Sequence, residues 1–550
     1  MSYLGGTAPP NLEAWEQEEA RYISTSLADL TPRHKMAILM SVGMITGIEI
    51  SNRISINVLL PDMQGNVAAN SDEISWVIIL YNLGFLCSMA LATWMTRVLG
   101  ARRHLLCSLG LYAIGAMGCF FSAHSLELLL VSRLIMGFGG GAFLVRTVIL
   151  SGLMFPGNAR LMAVTRLYLL LGVFEVFYPV SMGWITDHLH WNYAFLLDFP
   201  FLAIGAFLIA KLIPRGYLFR RKSDERVDFR GAILLIVSLV CLQVATSRGE
   251  RDLWFESFWI GPTLLVALIC FIAFLWWDSR IENTAPVFHL RMLWRQAAVR
   301  TSLSVVLIVG AILGAGLYVL PQYLRFVQGY SATQTGGFVS MYTSGLILGL
   351  ILSLRALIPR LGAPGTIGLG LVLMIGTCTS ILYIWTPTTP TAILAPAIFL
   401  QGLSLGPVLL GAARIATGTA ALPDLNDVST TYFFVRQLGN TFGVTAVTIL
   451  FDRRMSLHSS RLLDVANRLD PTVRSTLTQY ANLIHRNGGG SSNPALGALQ
   501  IFQANVITQS RLLSYVDVYF GLAVLAALAL ILICVTRLRN AIGQPHFHGL

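Results

Sequence analysis

LELLLVSRLIMGFGGGAFLVRTVIL, residues 126–150, decides how the rest of the chain is read. The run is long enough to cross a bilayer, because about 20 apolar residues at 1.5 Å rise span the hydrocarbon core. It carries Arg133 and Arg146, with Gly137, Gly139, Gly140 and Gly141 between them. A charge at bilayer depth costs roughly 2.5–3.5 kcal/mol on insertion scales, so it belongs against a protein interior or a wet cavity. Glycines clustered on such a helix let neighbouring helices approach closely. A lipid-facing anchor needs neither feature, so this helix is expected to line something.

The whole chain fits that setting. Its 550 residues are 55% hydrophobic and only 12% charged, with a mean hydropathy of +0.68, too apolar for an ordinary soluble domain. Apolar runs recur along its length, which predicts an all-α polytopic membrane protein. The net charge of +11 does not call for nucleic acid, because the basic residues cluster between spans, where they set membrane orientation. The seven cysteines sit in apolar runs without a CxxC pair. They are expected as small hydrophobes, with no disulfide and no metal site. Residues 1–30 are polar and acidic and lack the short apolar core of a cleaved signal peptide.

Fourteen spans are expected, near 36–60, 74–96, 104–122, 126–150, 161–182, 192–212, 230–247, 258–277, 300–321, 336–358, 365–386, 392–413, 429–450 and 515–536. Arg97, Arg102, Arg103, Arg160, the run from Lys211 to Arg230, and Arg280, Arg291, Arg295 and Arg300 fall on one side. The opposite connections 61–73, 123–125, 183–191 and 387–391 contain no lysine or arginine. That asymmetry sets the orientation and predicts that both termini are cytoplasmic. The organisation predicted is a cytoplasmic segment 1–35, a six-helix bundle 36–213, a linker with two additional spans 214–299, a second six-helix bundle 300–536, and a cytoplasmic tail 537–550. Two six-span halves suit a transporter built from internal repeats, with its solute site near midplane between them. Residues 452–513, polar and closing on NGGGSSNP (487–494), read as a long external loop, either solvated or a docking surface for a periplasmic partner.

Glu49, Asn52 and Arg53 lie mid-span in GIEISNRISINVLLP and share a helix face. Glu175 lies in LLLGVFEVFYPVSMG. At 1.5 Å per residue, Glu175 and Arg133 differ in depth by only about 6 Å, so Arg133 rather than Arg146 is its expected partner. Arg146 is expected to snorkel toward the cytoplasmic interface. Rearranging an arginine around an intramembrane carboxylate changes its proton affinity, which makes Glu49, Glu175 and Arg133 candidates for proton coupling. The competing reading is a fixed ion pair that only specifies packing. No GxxxxGK[ST], HExxH or GxSxG motif occurs, so direct ATP drive is not expected and no catalytic residue or cofactor is assigned. His188 and His190 read as a solvated turn rather than a metal site. Tyr81, Phe85, Tyr178, Tyr318, Tyr323, Tyr342 and Phe433 are candidates for an aromatic lining around a small-molecule substrate.

LPQYLRFVQGYSATQTGG (320–337), FLQGLSLG (399–406), VRQLGNTFG (435–443), INVLLPDMQGNV (56–67) and RLIMGFGGG (133–141) together resemble segments of one family. LLDFPFLAIG (196–205) and RGERDLWFES (248–257) resemble two others of the same family. That family is the fourteen-span drug:proton antiporters of the EmrB/QacA type, within the major facilitator superfamily, and the resemblance runs from about Leu30 to Arg539. It implies two six-helix bundles plus two extra central spans, alternating access, and proton-coupled export of amphipathic compounds. It adds Asn52, Arg53, Gln401, Arg436, Gln437 and Asn440 to the cavity residues. It implies as partners the solute, protons, the lipid bilayer, a periplasmic adaptor protein and an outer-membrane channel.

The family's first-span acid falls on Asn52 here, leaving Glu49, one turn earlier on the same face, as its replacement. In the cytoplasmic gating loop Arg97 stands near the acidic position, while Gly100 and the basic pair Arg102 and Arg103 are kept. The fifth-span GPxxGG motif becomes Tyr178-Pro179-Val180-Ser181-Met182-Gly183, retaining Pro179 and Gly183 as packing residues beside Gly137, Gly139 and Gly141. Coupling is therefore expected to have moved to Glu49 and Glu175. The alternatives are a transporter-derived sensor or scaffold that binds without moving its ligand, and an exporter or importer of one specific metabolite with altered coupling. A membrane-embedded transferase has no supporting motif.

Overall fold

The computed structural model describes residues 30–542, apart from residue 70 and residues 156–157, 214–227, 251, 281–286, 289–296, 419–424, 466–469 and 487–493. The first half comprises α1 (Pro32–Asn66), α2 (Ser71–Leu99), α3 (Ala101–Phe121), α4 (Leu126–Gly140), α5 (Phe143–Met154), α6 (Asn158–His188), and a 3₁₀ turn Trp191–Leu197 leading into α7 (Asp198–Leu212). Next come α8 (Phe229–Arg248) and α9 (Ile260–Asp278). The remainder is α10 (Ala297–Phe326), α11 (Ala332–Leu352), α12 (Ile358–Ile384), α13 (Thr391–Gly418), α14 (Leu425–Val465), α15 (Pro471–Arg486) and α16 (Pro494–Ile542). The chain enters the membrane at the face where α1 begins and leaves it where α16 ends; this is called the near face below, and its opposite the far face.

Helix starts follow from local chemistry. Thr31 caps α1 by accepting the His34 amide, with Pro32 at the first helical position. Ser125 caps α4 through the Leu128 amide, and Asp228 caps α8 through the Gly231 amide at 2.8 Å. The SATQ of residues 331–334 is a capping box, in which Ser331 accepts the Gln334 amide while the Gln334 side chain accepts the Ser331 amide. The span read at 126–150 is two helices, because the glycine run interrupts it at Gly141 and Ala142.

Two apolar cores form. One joins α1 to α7 with Leu235, Leu239 and Phe274 of the intervening pair. The other joins α10 to α14 with α16. Large side chains such as Phe207, Leu268 and Phe520 remain exposed on outer helix faces, where a bilayer solvates them. Among the described residues, eleven helices are long and apolar enough to cross a membrane, with Ala332–Ile384 counted as one although it holds two spans. The two expected spans missing from that count are α1 and α14. Both are too polar to qualify, and both turn their polar residues toward the seam between the halves.

The expectation of a loop over 452–513 is corrected. At 1.5 Å per residue, the 41 residues of α14 and the 49 of α16 reach roughly 60 and 75 Å, twice the hydrocarbon thickness. Both helices therefore continue beyond the far face, with α15 packed on α16. Hydropathy stops at the interface, whereas backbone helicity does not. The projection is tied back to the α8–α9 connection by Arg453, whose Nε and Nη2 donate to Glu250 at 2.6 and 2.7 Å. These bonds hold the Glu250 carboxyl below the usual carboxylate range. A depressed acid stabilises above its unfolded value and loses that contribution as pH falls through the folded one. The difference in thermal stability between wild type and Glu250→Gln is therefore expected to be small at pH 7, because the pair is solvated, and to vanish on acidification.

Candidate functional site

A cavity of about 510 Å³ lies on the seam between the two halves, within the usual range for a drug-sized solute. Its inner end is formed by Tyr81, Arg133, Glu175 and Gln437, and it runs toward the near face past Ser151, Leu354, Ile358 and Thr417. The far side is held shut by direct contacts. Arg325, at the end of α10, donates to both oxygens of Asp62 on α1 at 2.7 Å. Asp187, at the end of α6, accepts the Ala332 and Thr333 amides at 3.1 and 2.8 Å and the Thr333 hydroxyl at 2.6 Å. The YSATQ segment thus starts α11 and anchors it to α6, with a carboxylate on a helix N-terminus. Below this clamp, Gly183 and Gly336 let the backbones of α6 and α11 touch. Ser340 and Thr343 then donate to the Val176 and Glu175 carbonyls at 2.7 and 2.9 Å. Removing the anchor with Asp187→Ala is expected to lower stability by about 1 kcal/mol. Thermal unfolding, followed by a thiol-reactive dye at buried Cys87, Cys119 and Cys378, checks that value.

The charged residues form two linked groups. In the first, Glu49 Oε1 accepts Arg53 Nε at 3.0 Å and the Tyr81 hydroxyl at 2.8 Å. Arg53 also crosses the seam, donating Nη1 to Gln437 Oε1 at 2.8 Å, and Gln437 Nε2 returns to Asn82 at 3.2 Å. In the second, Arg133 donates Nη1 to Asn52 Oδ1 at 3.3 Å, and Asn52 Nδ2 donates to Asp198 Oδ2 at 2.9 Å. The Tyr112 hydroxyl reaches the same Asp198 oxygen at 3.4 Å. Tyr81 joins the groups, because the Arg133 guanidinium stacks on its ring at 4.2 Å while its hydroxyl holds Glu49. Small residues make this packing possible. A side chain at Gly140 would collide with Glu49, at Gly137 with the Tyr81 backbone, at Gly139 with Tyr112, and at Gly141 with the Phe85 carbonyl.

The structure brings Arg53, Tyr81, Arg133, Glu175, Tyr318, Phe433, Arg436, Gln437 and Asn440 to one cavity wall. It corrects the expected pairing of Glu175 with Arg133. Although the two are matched in depth, Arg133 turns toward Asn52 and the Tyr81 ring, and the cations that act on Glu175 are Arg53 and Arg436. Arg146 does not snorkel. It is buried and donates to the Ala92 carbonyl of α2. Glu49, Asn52, Phe85 and Tyr178 are buried behind the wall rather than on it. Tyr323 and Tyr342 are buried away from the cavity, Tyr323 stacked on Trp385 at 3.7 Å with its hydroxyl on the Thr386 carbonyl. Gln401 is buried beside Tyr342 near Gly316, also off the wall.

At the gating loop, Gly100 adopts φ +79° before α3, Arg102 and Arg103 follow on its first turn, and Thr96 bonds His104 at 2.8 Å. The Arg97 side chain lies outside the described residues, as does most of the charged linker 214–230. Asp198 is the residue that sequence reasoning missed. It is fully buried, with the Tyr178 hydroxyl beside its carboxyl in addition to Asn52 and Tyr112. The available signal was an acid standing alone in LLDFPFL, where a long apolar run should have none.

A family model described as the Major Facilitator Superfamily matches residues 39–444. The chain belongs to the major facilitator superfamily. Its similarity extends to the multidrug export protein EmrB of Haemophilus influenzae, 25% identical over 80% of this chain and 84% of that protein. EmrB of Escherichia coli is 24% identical over 81% and 85%. The probable multidrug resistance protein EmrY of Escherichia coli is 25% identical over 92% and 95%. Among solved structures, a peptide transporter of the POT family superposes with a TM-score of 0.60 at 13% identity, covering 94% of this chain and 98% of that one. A bacterial homologue of the lysosomal transporter Spinster, inward-facing and unoccupied, gives 0.54 at 15% identity, covering 92% and 98%. The two-core architecture around a seam cavity is that superfamily's fold, and the chain is a multi-pass membrane transporter.

Proposed function

We propose that this superfamily member is a proton-coupled exporter of amphipathic small molecules, caught with its cavity open toward the cytoplasm. The near face is the cytoplasmic one, both termini are cytoplasmic, and the protein sits in the inner membrane, in keeping with the lysine and arginine asymmetry of its connections. Segments 36–213 and 300–536 rock against each other, and 214–299 inserts the two additional spans. Multidrug export in the names of the relatives supports the solute class. EmrB-type function also suggests a periplasmic adaptor and an outer-membrane channel as partners. The far-face projection of α14 to α16 is the part of the chain long enough to reach an adaptor.

One observation carries this reading. The Glu49–Arg53 pair sits on the seam, and Arg53 holds Gln437 of the opposite half. Opening the far side must stretch or break that bridge, which changes the charge beside Glu49 and hence its proton affinity. Glu175, on the wall and facing the same cations, is the second acid in the exchange, and Arg133 positions Tyr81 for Glu49. The test uses proteoliposomes and three naphthalene-bearing probes that differ only in carrying an anionic, neutral or cationic group. Wild type is expected to move protons when at least one probe is added. Glu49→Gln and Glu175→Gln are expected to reduce that flux at least tenfold while counterflow of the same probe persists. Undiminished proton flux in both variants refutes the coupling roles, and binding without counterflow in wild type identifies a sensor.

A further inference from the structure

The cavity wall is electrically lopsided. Among the described residues, its basic side chains are Arg53, Arg133, Arg414 and Arg436, and its one acidic side chain is Glu175. Arg53 is already neutralised by Glu49. Arg133 is fully buried, and its Nη2 has no hydrogen-bond partner among the described residues. Arg436 makes no hydrogen bond or ion pair among the described residues. Its guanidinium lies 5.2 Å from the Phe433 ring, and the charged groups around it are Arg53, Glu49 and Glu175, with the Tyr168 and Tyr432 hydroxyls. Arg414 stands exposed at the near mouth. Between these cations the wall is apolar, through Leu144, Leu167, Leu171, Leu317, Leu346 and Leu409.

A guanidinium that faces a largely apolar cavity with no hydrogen-bond acceptor from the protein is a ready partner for an anion, because a charge-assisted hydrogen bond is strong where water is scarce. The same site repels a cationic amphiphile, since like charges interact strongly where water is scarce. We propose that the cavity selects amphipathic anions: an aromatic or alkyl body of drug size carrying one carboxylate or sulfonate. The body fills the leucine-lined space against Phe433, and the anionic group bonds Arg436, with Arg133 deeper along the same wall. Arg414 at the mouth raises the local concentration of anions entering from the near face. This assignment rests on the seam cavity being the solute site and deepens that reading by naming the charge class of its solute.

The experiment measures saturable binding of radiolabelled 1-naphthylacetate, 1-naphthylmethanol and 1-naphthylmethyl-trimethylammonium to the full chain in nanodiscs, with empty nanodiscs subtracted. The expected result is that naphthylacetate binds at least tenfold more tightly than the ammonium probe. Arg436→Gln is expected to weaken naphthylacetate at least tenfold and to leave the neutral alcohol within twofold, which also reports that the cavity is folded. Arg436→Lys should restore most of the anion affinity, and Arg436→Glu should invert the order of the charged probes. The proposal is overturned by wild-type protein that binds the ammonium probe as tightly as the carboxylate, or that binds no carboxylate saturably; neither result depends on a variant folding. It is also overturned by an Arg436→Gln protein with intact alcohol binding and unchanged carboxylate affinity. Anion-selective binding without counterflow sinks the transporter reading and leaves this one standing. Counterflow of the cationic probe alone does the reverse.

Discussion

Gly336→Leu is expected to reduce probe counterflow more than tenfold in a protein that still inserts and folds. A side chain built at Gly336 meets the Pro179 carbonyl and the Val180 backbone across the seam, so the obstruction is main chain and cannot swing aside. The two halves each keep their own apolar core, and the substitution falls on the surface where α11 meets α6. Overpacking inside a core typically costs 1–3 kcal/mol, but here the seam can open to relieve it. The closed far side is what gives way. Gly183→Leu, which would strike the Ala332 backbone, is expected to behave in the same way. Gly337→Leu, whose Cβ meets nothing within 4 Å, is the matched control and should retain counterflow. Equal activity of the Gly336 and Gly337 variants would show that far-side closure is not part of the cycle.

Asp198→Ala is expected to cause the largest stability loss of any polar substitution in the first half. Alanine strands the Asn52 Nδ2 and Tyr112 hydroxyl donors, both fully buried, and a buried donor left without an acceptor costs about 1–3 kcal/mol. Arg133, held through Asn52, also loses the acid that Asn52 links it to. Together these effects predict a loss of about 3 kcal/mol or more. Asp198→Asn keeps an oxygen at the accepting position and should lie within about 1 kcal/mol of wild type. Thermal unfolding of the three proteins in one detergent checks this contrast. A tolerant alanine variant would mean that the network does not hold the helices together.

Much of the fold was legible because a bilayer constrains the backbone so tightly. Apolar runs of the right length can only be helices, and the placement of arginines sorts their connections. What the sequence left open was rotation about each helix axis. Depth along the membrane follows from counting residues, and by that measure Glu175 and Arg133 were partners. The direction in which Arg133 points is set by Gly137 and Gly140 packing on Tyr81 and Glu49, contacts between helices distant in sequence. Asp198 lies in LLDFPFLAIG, read only as a family-like segment, and its acid becomes meaningful only once Asn52 and Tyr112 are seen around it. The far-face projection was missed for a different reason. Polar residues in α14 and α16 end the hydrophobic signal without ending the helix.

The central claim is that protonation at Glu49 is linked to which side of the seam is open. The most direct measurement places spin labels at positions 151 and 417, across the near mouth, and separately at 65 and 326, across the far face, in the full chain in nanodiscs, and records both distances between pH 5 and pH 9. The account predicts that the near and far distances change in opposite directions with pH, and that Glu49→Gln holds both at one value throughout. Distances that ignore pH in wild type, or that titrate unchanged in Glu49→Gln, would contradict it.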